Sequence, residues 1–161
     1  EYLALVDKIK KKFPESSITT DIIVGFPGET EEDFLETLDL VERCRFDSAF
    51  TFIFSPRSGT PAAKMDQQVP SDVKKERLQR LMKLQNRISR EINETYRDKI
   101  VEVLVEERSE DGKGLLTGRT TTNKPVLFAG DDSLIGRMVK VKVTTPQTWV
   151  LKGKLVEQAE D

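Results

Sequence analysis

Thr20-Asp21-Ile22-Ile23-Val24-Gly25-Phe26-Pro27-Gly28-Glu29-Thr30-Glu31-Glu32-Asp33-Phe34 is the stretch from which the fold can be read. Ile22-Ile23-Val24 is an apolar, β-branched run, the pattern of a parallel-sheet strand covered on both faces. Pro27-Gly28 offers a preset φ and then a left-handed position, the pair that a type II turn asks for. Thr30 can cap a following helix, with Asp33 three residues on as a short-armed capping-box partner. Loops at the carboxyl ends of parallel strands are where α/β folds build their sites. The Gly25–Glu29 turn is therefore the first candidate for chemistry.

Upstream, Tyr2, Leu5, Val6, Ile9 and Phe13 fall on one helical face that Pro14 closes. Downstream, Phe34, Leu35, Leu38, Val41 and Cys44 repeat at helical spacing, which makes Cys44 a small buried hydrophobe. Ala49–Phe54 then gives a second apolar strand. This helix–strand–helix–strand order predicts parallel strands with right-handed crossovers. A complete α/β barrel takes eight strands and roughly 250 residues. Residues 1–70 thus read as the last third of such a barrel, with a small self-contained α/β unit as the alternative.

The irregular loop that starts at Ser55-Pro56-Arg57-Ser58-Gly59-Thr60 leaves the second strand on the same carboxyl-end face as the first turn. Pro70-Ser71 signals a helix start. Leu78, Leu81, Met82, Gln85, Ile88, Ile92 and Tyr96 make its apolar stripe, through about Arg97. Lys74, Lys75, Arg77, Arg80, Lys83, Arg87 and Arg90 make a basic face opposite. After Lys99 the period switches to two. Five short strands follow, over 100–107, 114–119, 126–128, 137–144 and 149–156. Asp111-Gly112, Asn123-Lys124-Pro125, Gly130-Asp131-Asp132 and Pro146 mark the turns. Five alternating strands fit a small antiparallel β-barrel of OB-like size that closes its own edges. The expected fold class is α/β followed by all-β, in two parts. Residues 1–98 are the end of an α/β barrel with a long linking helix over about 72–97, and residues 99–158 are the small barrel.

Charged residues make up 34% of the 161 and the hydrophobic set 37%, with a net charge of −2. Residues 1–71 lean acidic and residues 72–99 basic, while the remainder is near balance. One cysteine and no histidine exclude a disulfide framework and any Cys/His metal site built from this chain alone. They exclude a Ser-His-Asp or Cys-His pair as well. No apolar run approaches the ~18 residues of a membrane span, and there is no basic-then-apolar leader. The expectation is a soluble cytoplasmic protein. The chain opens inside helix-like sequence without Met, as part of a longer one would.

The glycine turn lacks the Lys-Ser/Thr of a P-loop and the spacing of a dinucleotide fingerprint. Glu29, Glu31, Glu32 and Asp33 crowd the helix start and repel a phosphate from its N–H groups. An amine, such as the ammonium end of an amino acid, agrees better with Glu29 in the turn.

Asp21-Ile22-Ile23-Val24-Gly25-Phe26-Pro27-Gly28-Glu29-Thr30 resembles the Gly-Phe-Pro-Gly-Glu-Thr turn of the radical S-adenosylmethionine (SAM) methylthiotransferase family. Phe52-Ile53-Phe54-Ser55-Pro56-Arg57-Ser58-Gly59-Thr60-Pro61-Ala62 is similar to that family's next strand and loop. The small barrel resembles the TRAM domain, an RNA-binding module. Gly118–Phe128 and Ile135-Gly136 are closest to the MiaB-type branch, which methylthiolates N6-isopentenyladenosine beside the anticodon in tRNA. The same turn would suit a relative acting on threonylcarbamoyladenosine tRNA or on a ribosomal-protein aspartate. A non-catalytic RNA-binding module is the rival of another class, and the apolar strand at 48–54 and the loop after it argue against that.

The resemblance implies the C-terminal part of an enzyme that uses SAM and two 4Fe-4S clusters. The family's Cys-x-x-x-Cys-x-x-Cys loop and its N-terminal cluster cysteines have no counterpart here, so this chain alone is expected to bind no cluster and to be inactive. By position, Gly25, Phe26, Pro27, Gly28 and Glu29 would line the mouth near SAM, with Ser55, Arg57, Gly59 and Thr60 on the adjoining loop. Arg119, Asn123, Lys124, Lys140, Lys142, Lys152 and Lys154 are candidate RNA contacts. Phe128 and Trp149 are the few aromatic groups for stacking, with Trp149 on the apolar face, so an electrostatic grip is expected to outweigh base reading. The implied partners are the anticodon arm of tRNA and the N-terminal part of the same protein, with no membrane.

Overall fold

A computed structural model of the protein describes residues 1–110 and 114–156; the turn expected at Asp111-Gly112 lies outside them. The chain divides into two compact units, Glu1–Ile88 and Ser89–Asp161.

In the first unit α1 (Tyr2–Lys12), β1 (Thr19–Val24), α2 (Glu31–Cys44), β2 (Ser48–Ile53) and the start of α3 (Ser71–Glu94) follow in order. β1 and β2 pair in parallel, from Thr19 opposite Ser48 to Val24 opposite Ile53. The capping box at the head of α2 is formed. Thr30 Oγ1 accepts the Asp33 N–H at 3.1 Å, and the Asp33 carboxylate accepts the Thr30 N–H at 2.8 Å. At its other end Arg45 takes a left-handed φ of 47°. Lys10 Nζ donates there to the carbonyls of Cys44 and Arg45, placing a cation at the negative end of the helix. Val6, Val24, Phe34, Val41, Cys44, Phe46, Leu81 and Ile88 form the buried set. Cys44 is buried as its place in the stripe predicts, and burial pushes its thiol pKa up.

Two expectations change. β1 and β2 are packed on one face only, and Asp21, Ile23, Phe50 and Phe52 remain exposed on the other. Alternate strand residues point to opposite faces, so an apolar run does not by itself show that both are covered. The buried face of α3 is also turned from the apolar stripe. Met82 is exposed, while Lys74 and Arg77 are buried with Leu81, Gln85 and Ile88, for reasons that lie in the turn.

In the second unit α3 ends at Glu94 rather than Arg97. Asp98, at φ 62°, donates its N–H to Val143 O at 2.9 Å and leads into the barrel. β3 (Ile100–Arg108), β4 (Leu115–Thr120), β5 (Pro125–Ala129), β6 (Met138–Pro146) and β7 (Leu151–Leu155) close in the order β3-β4-β5-β7-β6. The barrel is mixed rather than antiparallel throughout: β5 and β7 run parallel, with Val126 opposite Leu151. A closed ring with an odd number of strands cannot alternate direction at every step, so one pair must be parallel. Register shifts at Glu106 in β3 and Thr144 in β6 add the curvature that closure needs. Val103, Val105, Leu116, Val126, Phe128, Val139, Val141, Val143 and Leu151 fill the interior. Each buried side chain of this size contributes about 1.5–3 kcal/mol.

Candidate functional site

The first candidate region is the Gly25–Glu29 turn. Phe26 O accepts the Glu29 N–H at 2.9 Å with Gly28 at φ +87°, closing the type II turn that Pro27-Gly28 predicts. The Glu29 side chain folds back into the turn instead of reaching outward. Both carboxylate oxygens accept the Gly25 N–H at 3.0 Å. Arg77 Nη1 donates to Glu29 Oε1 at 2.7 Å and to Glu29 O at 3.1 Å. Only 12% of the Glu29 side chain and 6% of the Arg77 side chain are exposed.

Lys74, one helical turn before Arg77, lies over Gly25. A Cβ on Gly25 would come within 2.4 Å of Lys74 Cγ, so only glycine fits this approach. Lys74 Nζ donates to Phe54 O at 3.2 Å and sits 5.3 Å from the Phe54 ring centre. Two cations read as part of a solvated face are thus the struts of the turn. Glu31 joins the same group, 2.7 Å from Arg80 and 3.5 Å from Arg77 Nε. The hydrogen bond from Arg80 holds its carboxyl below the usual range. Farther along α3, Arg87 pairs with Glu42.

The second loop lies beside the first because Phe54 donates its N–H to Val24 O at 2.8 Å, extending the parallel pairing. The Phe26 and Phe54 rings meet edge to face at 5.1 Å. Thr60 Oγ1 donates to Arg57 O at 2.8 Å and Gly59 takes φ +84°, while Ser55 and Arg57 are exposed. Gly25, Phe26, Pro27, Gly28, Glu29, Ser55, Arg57, Gly59 and Thr60 therefore gather at the carboxyl end of the two strands. A shallow pocket of about 460 Å³ is lined by Gly28, Glu29 and Thr30 of the turn region with Gln67, Val73 and Arg77 among others. Sequence reasoning missed Lys74 and Arg77. Their i, i+3 spacing, which runs on into Leu81, Gln85 and Ile88 of the apolar stripe, was the available signal that they share its buried face.

The second region is the outer surface of the barrel. Lys140 and Lys142 on β6 and Lys152 and Lys154 on β7 are all exposed. Lys142 stands directly opposite Lys154, and Lys152 opposite Thr145. Among the described residues none of the four is held in an ion pair. Like charges directly opposite each other destabilise a ladder, so this face carries a local cost that an anion would relieve.

Arg119 is exposed beside Glu106, its Nε 3.4 Å from the carboxylate, and donates to Asn123 Oδ1 at 3.3 Å. Asn123 takes φ 63° in the tight β4–β5 turn. Lys124 differs from the other candidates: it is 7% exposed. Its Nζ donates to Asn93 Oδ1 at 3.0 Å and lies 5.4 Å from the Tyr96 ring centre. The two aromatic groups exchange roles relative to expectation. Phe128 is in the core, and Trp149 is 72% exposed in the β6–β7 turn. Among the described residues, no group of three or more Cys, His, Asp or Glu is placed to hold a metal ion.

Residues 94–156 match the TRAM domain, so the second unit is a TRAM barrel. Over 156 residues the chain is 58% identical to the tRNA-2-methylthio-N(6)-dimethylallyladenosine synthase of Acetivibrio thermocellus, covering 97% of this chain and 32% of that protein. The synthase of the same name from Thermoanaerobacter sp. (strain X514) is 59% identical over 156 residues, 97% of this chain and 33% of its own length. That of Clostridioides difficile (strain 630) is 55% identical over 156 residues, with 96% and 33% covered. The chain is similar along nearly all of its length to these tRNA-2-methylthio-N(6)-dimethylallyladenosine synthases, and it spans about a third of the length of the curated relatives it matches.

Proposed function

We propose that this chain supplies the RNA-gripping barrel and one wall of the SAM pocket in a methylthiotransferase acting on N6-isopentenyladenosine next to the anticodon. The observation that carries the RNA part is the face of Lys140, Lys142, Lys152 and Lys154, with Lys142 and Lys154 opposed across the ladder. Backbone phosphates answer such a face without any sequence reading.

A four-iron cluster takes thiolate ligands and does not fit the residues present, because Cys44 is the one cysteine of the chain and is buried on α2. The roles proposed for this chain are accordingly binding roles. SAM fits the turn region in part. Phe26, Ser55 and Arg57 are exposed at the mouth, offering an aromatic ring and polar donors to an adenosyl or carboxylate group. Glu29 acts from behind, as a positioning residue that fixes Gly25 and the turn, since its carboxylate is already bound by Arg77 and the Gly25 N–H.

The substrate is tested by nucleoside analysis of tRNA from cells in which the gene encoding this chain is deleted. Loss of the 2-methylthio group on isopentenyladenosine is expected. Loss instead from threonylcarbamoyladenosine, or from a ribosomal-protein aspartate, would overturn the substrate assignment.

A further inference from the structure

Trp149 is the one tryptophan of the chain and the most exposed of its large apolar residues. It sits in a four-residue turn, closed where Gln147 donates its N–H to Val150 O at 2.9 Å, just past the last ladder pair Pro146–Leu151. The turn is braced from below. The buried Asn93 donates through Nδ2 to Gln147 O at 2.8 Å and Thr148 O at 3.1 Å. Lys124 Nζ, on Asn93 Oδ1, fixes which way that amide points.

The register places this turn among the basic residues. Val126 at the start of β5 lies opposite Leu151 at the start of β7. The β4–β5 turn with Asn123, and Arg119 just before it, therefore share the barrel end that carries Trp149. Lys152 and Lys154 follow along β7. An apolar ring of this size, 72% exposed on a braced turn at the barrel end that also carries Arg119, is what a stacking platform for an unpaired base requires.

We propose that Trp149 stacks on an unpaired base of the RNA whose backbone the β6–β7 lysines hold. The inference rests on the RNA-binding reading of that face, and it turns a purely electrostatic grip into one that distinguishes looped from fully paired RNA. The lysines act on any phosphate backbone, whereas the indole acts only where a base is unstacked.

Because the chain has a single tryptophan, its emission reports on Trp149 alone. The 161-residue chain is titrated with a stem-loop RNA and with a blunt duplex of the same stem. The stem-loop is expected to quench the emission and the duplex to bind without quenching. W149A should weaken stem-loop binding roughly tenfold, to the level of the duplex, and W149F should recover most of the loss. Unchanged emission with both RNAs bound, or equal binding by wild type and W149A, overturns the stacking role and leaves the RNA reading standing. Absence of binding to either RNA overturns both. A blue shift that grows with protein concentration before RNA is added overturns it in favour of a protein contact.

Discussion

The Glu29 carboxylate and the Arg77 guanidinium meet at 2.7 Å, both nearly out of solvent, 48 residues apart in sequence. The pair ties the turn after β1 to the first turns of α3. Breaking a buried pair leaves the surviving charge unpaired, at a cost of about 3–5 kcal/mol. R77M and E29Q are each expected to lower the chemical-denaturation stability of the first unit, R77M by about 3 kcal/mol and E29Q by less, since the amide still accepts a hydrogen bond. In the R77M/E29Q double variant the losses should be clearly less than additive. Additive losses would mean that the two side chains stabilise the fold independently.

The acid response of the α2 head has a definite sign. The Thr30 N–H, then its hydroxyl, holds the Asp33 carboxyl below its ordinary 3.8, and Arg80 holds Glu31 below 4.5. A carboxylate with a depressed folded pKa stabilises fully above its unfolded value, and the contribution is lost as pH falls through the folded one. The thermal midpoint should change little because of these groups between about pH 7 and pH 6, then fall below about pH 4.5. D33N should start lower at neutral pH and fall less in acid. An acid drop in D33N equal to that of wild type would remove the cap from the account.

Lys124 is expected to behave as a structural cation and not as a phosphate contact. Removing Asn93 takes one hydrogen-bond acceptor from the buried Lys124 ammonium and the side-chain donor from the carbonyls of Gln147 and Thr148, and unsatisfied buried polar groups cost about 1–3 kcal/mol. N93A and K124M should each lower the melting temperature of the barrel. K124M should leave the salt dependence of RNA binding as in wild type. A flatter salt dependence without loss of stability would place Lys124 at the RNA after all.

Most of this architecture was legible in the sequence because its signals are local. Pro27-Gly28 demands its turn, Thr30 and Asp33 their cap, and the Val139-Val141-Val143 alternation its strand. What was not legible depends on partners far along the chain. Glu29 looked like a ligand for an amine because nothing near it in sequence shows Arg77 arriving from α3. Lys124 looked solvated because lysines in turns usually are, and its burial depends on Asn93 and Tyr96. Trp149 was placed on the apolar face because it opens the alternating run over 149–156, yet the strand begins at Leu151, after the ring has passed. The parallel β5–β7 pair follows from closure with an odd strand number, which strand counting alone did not impose.

The Lys142–Lys154 opposition predicts an exchange of stability for function. K154E converts a like-charge pair into a cross-strand ion pair, worth on the order of 0.5 kcal/mol. The variant barrel should melt slightly higher than wild type and bind RNA more weakly. A K154E barrel that melts lower than wild type would show that the opposed lysines carry no repulsion to relieve.

The central claim, that the β6–β7 face grips RNA by charge, is tested most directly by the salt dependence of binding. Binding of the chain to an anticodon stem-loop is followed across a salt series, for wild type and for K142Q/K154Q. Each phosphate contact removed should make the slope of log K against log salt shallower by about 0.7–0.9, so the double variant should lose between one and two units of slope together with affinity. A slope identical to that of wild type would contradict the account.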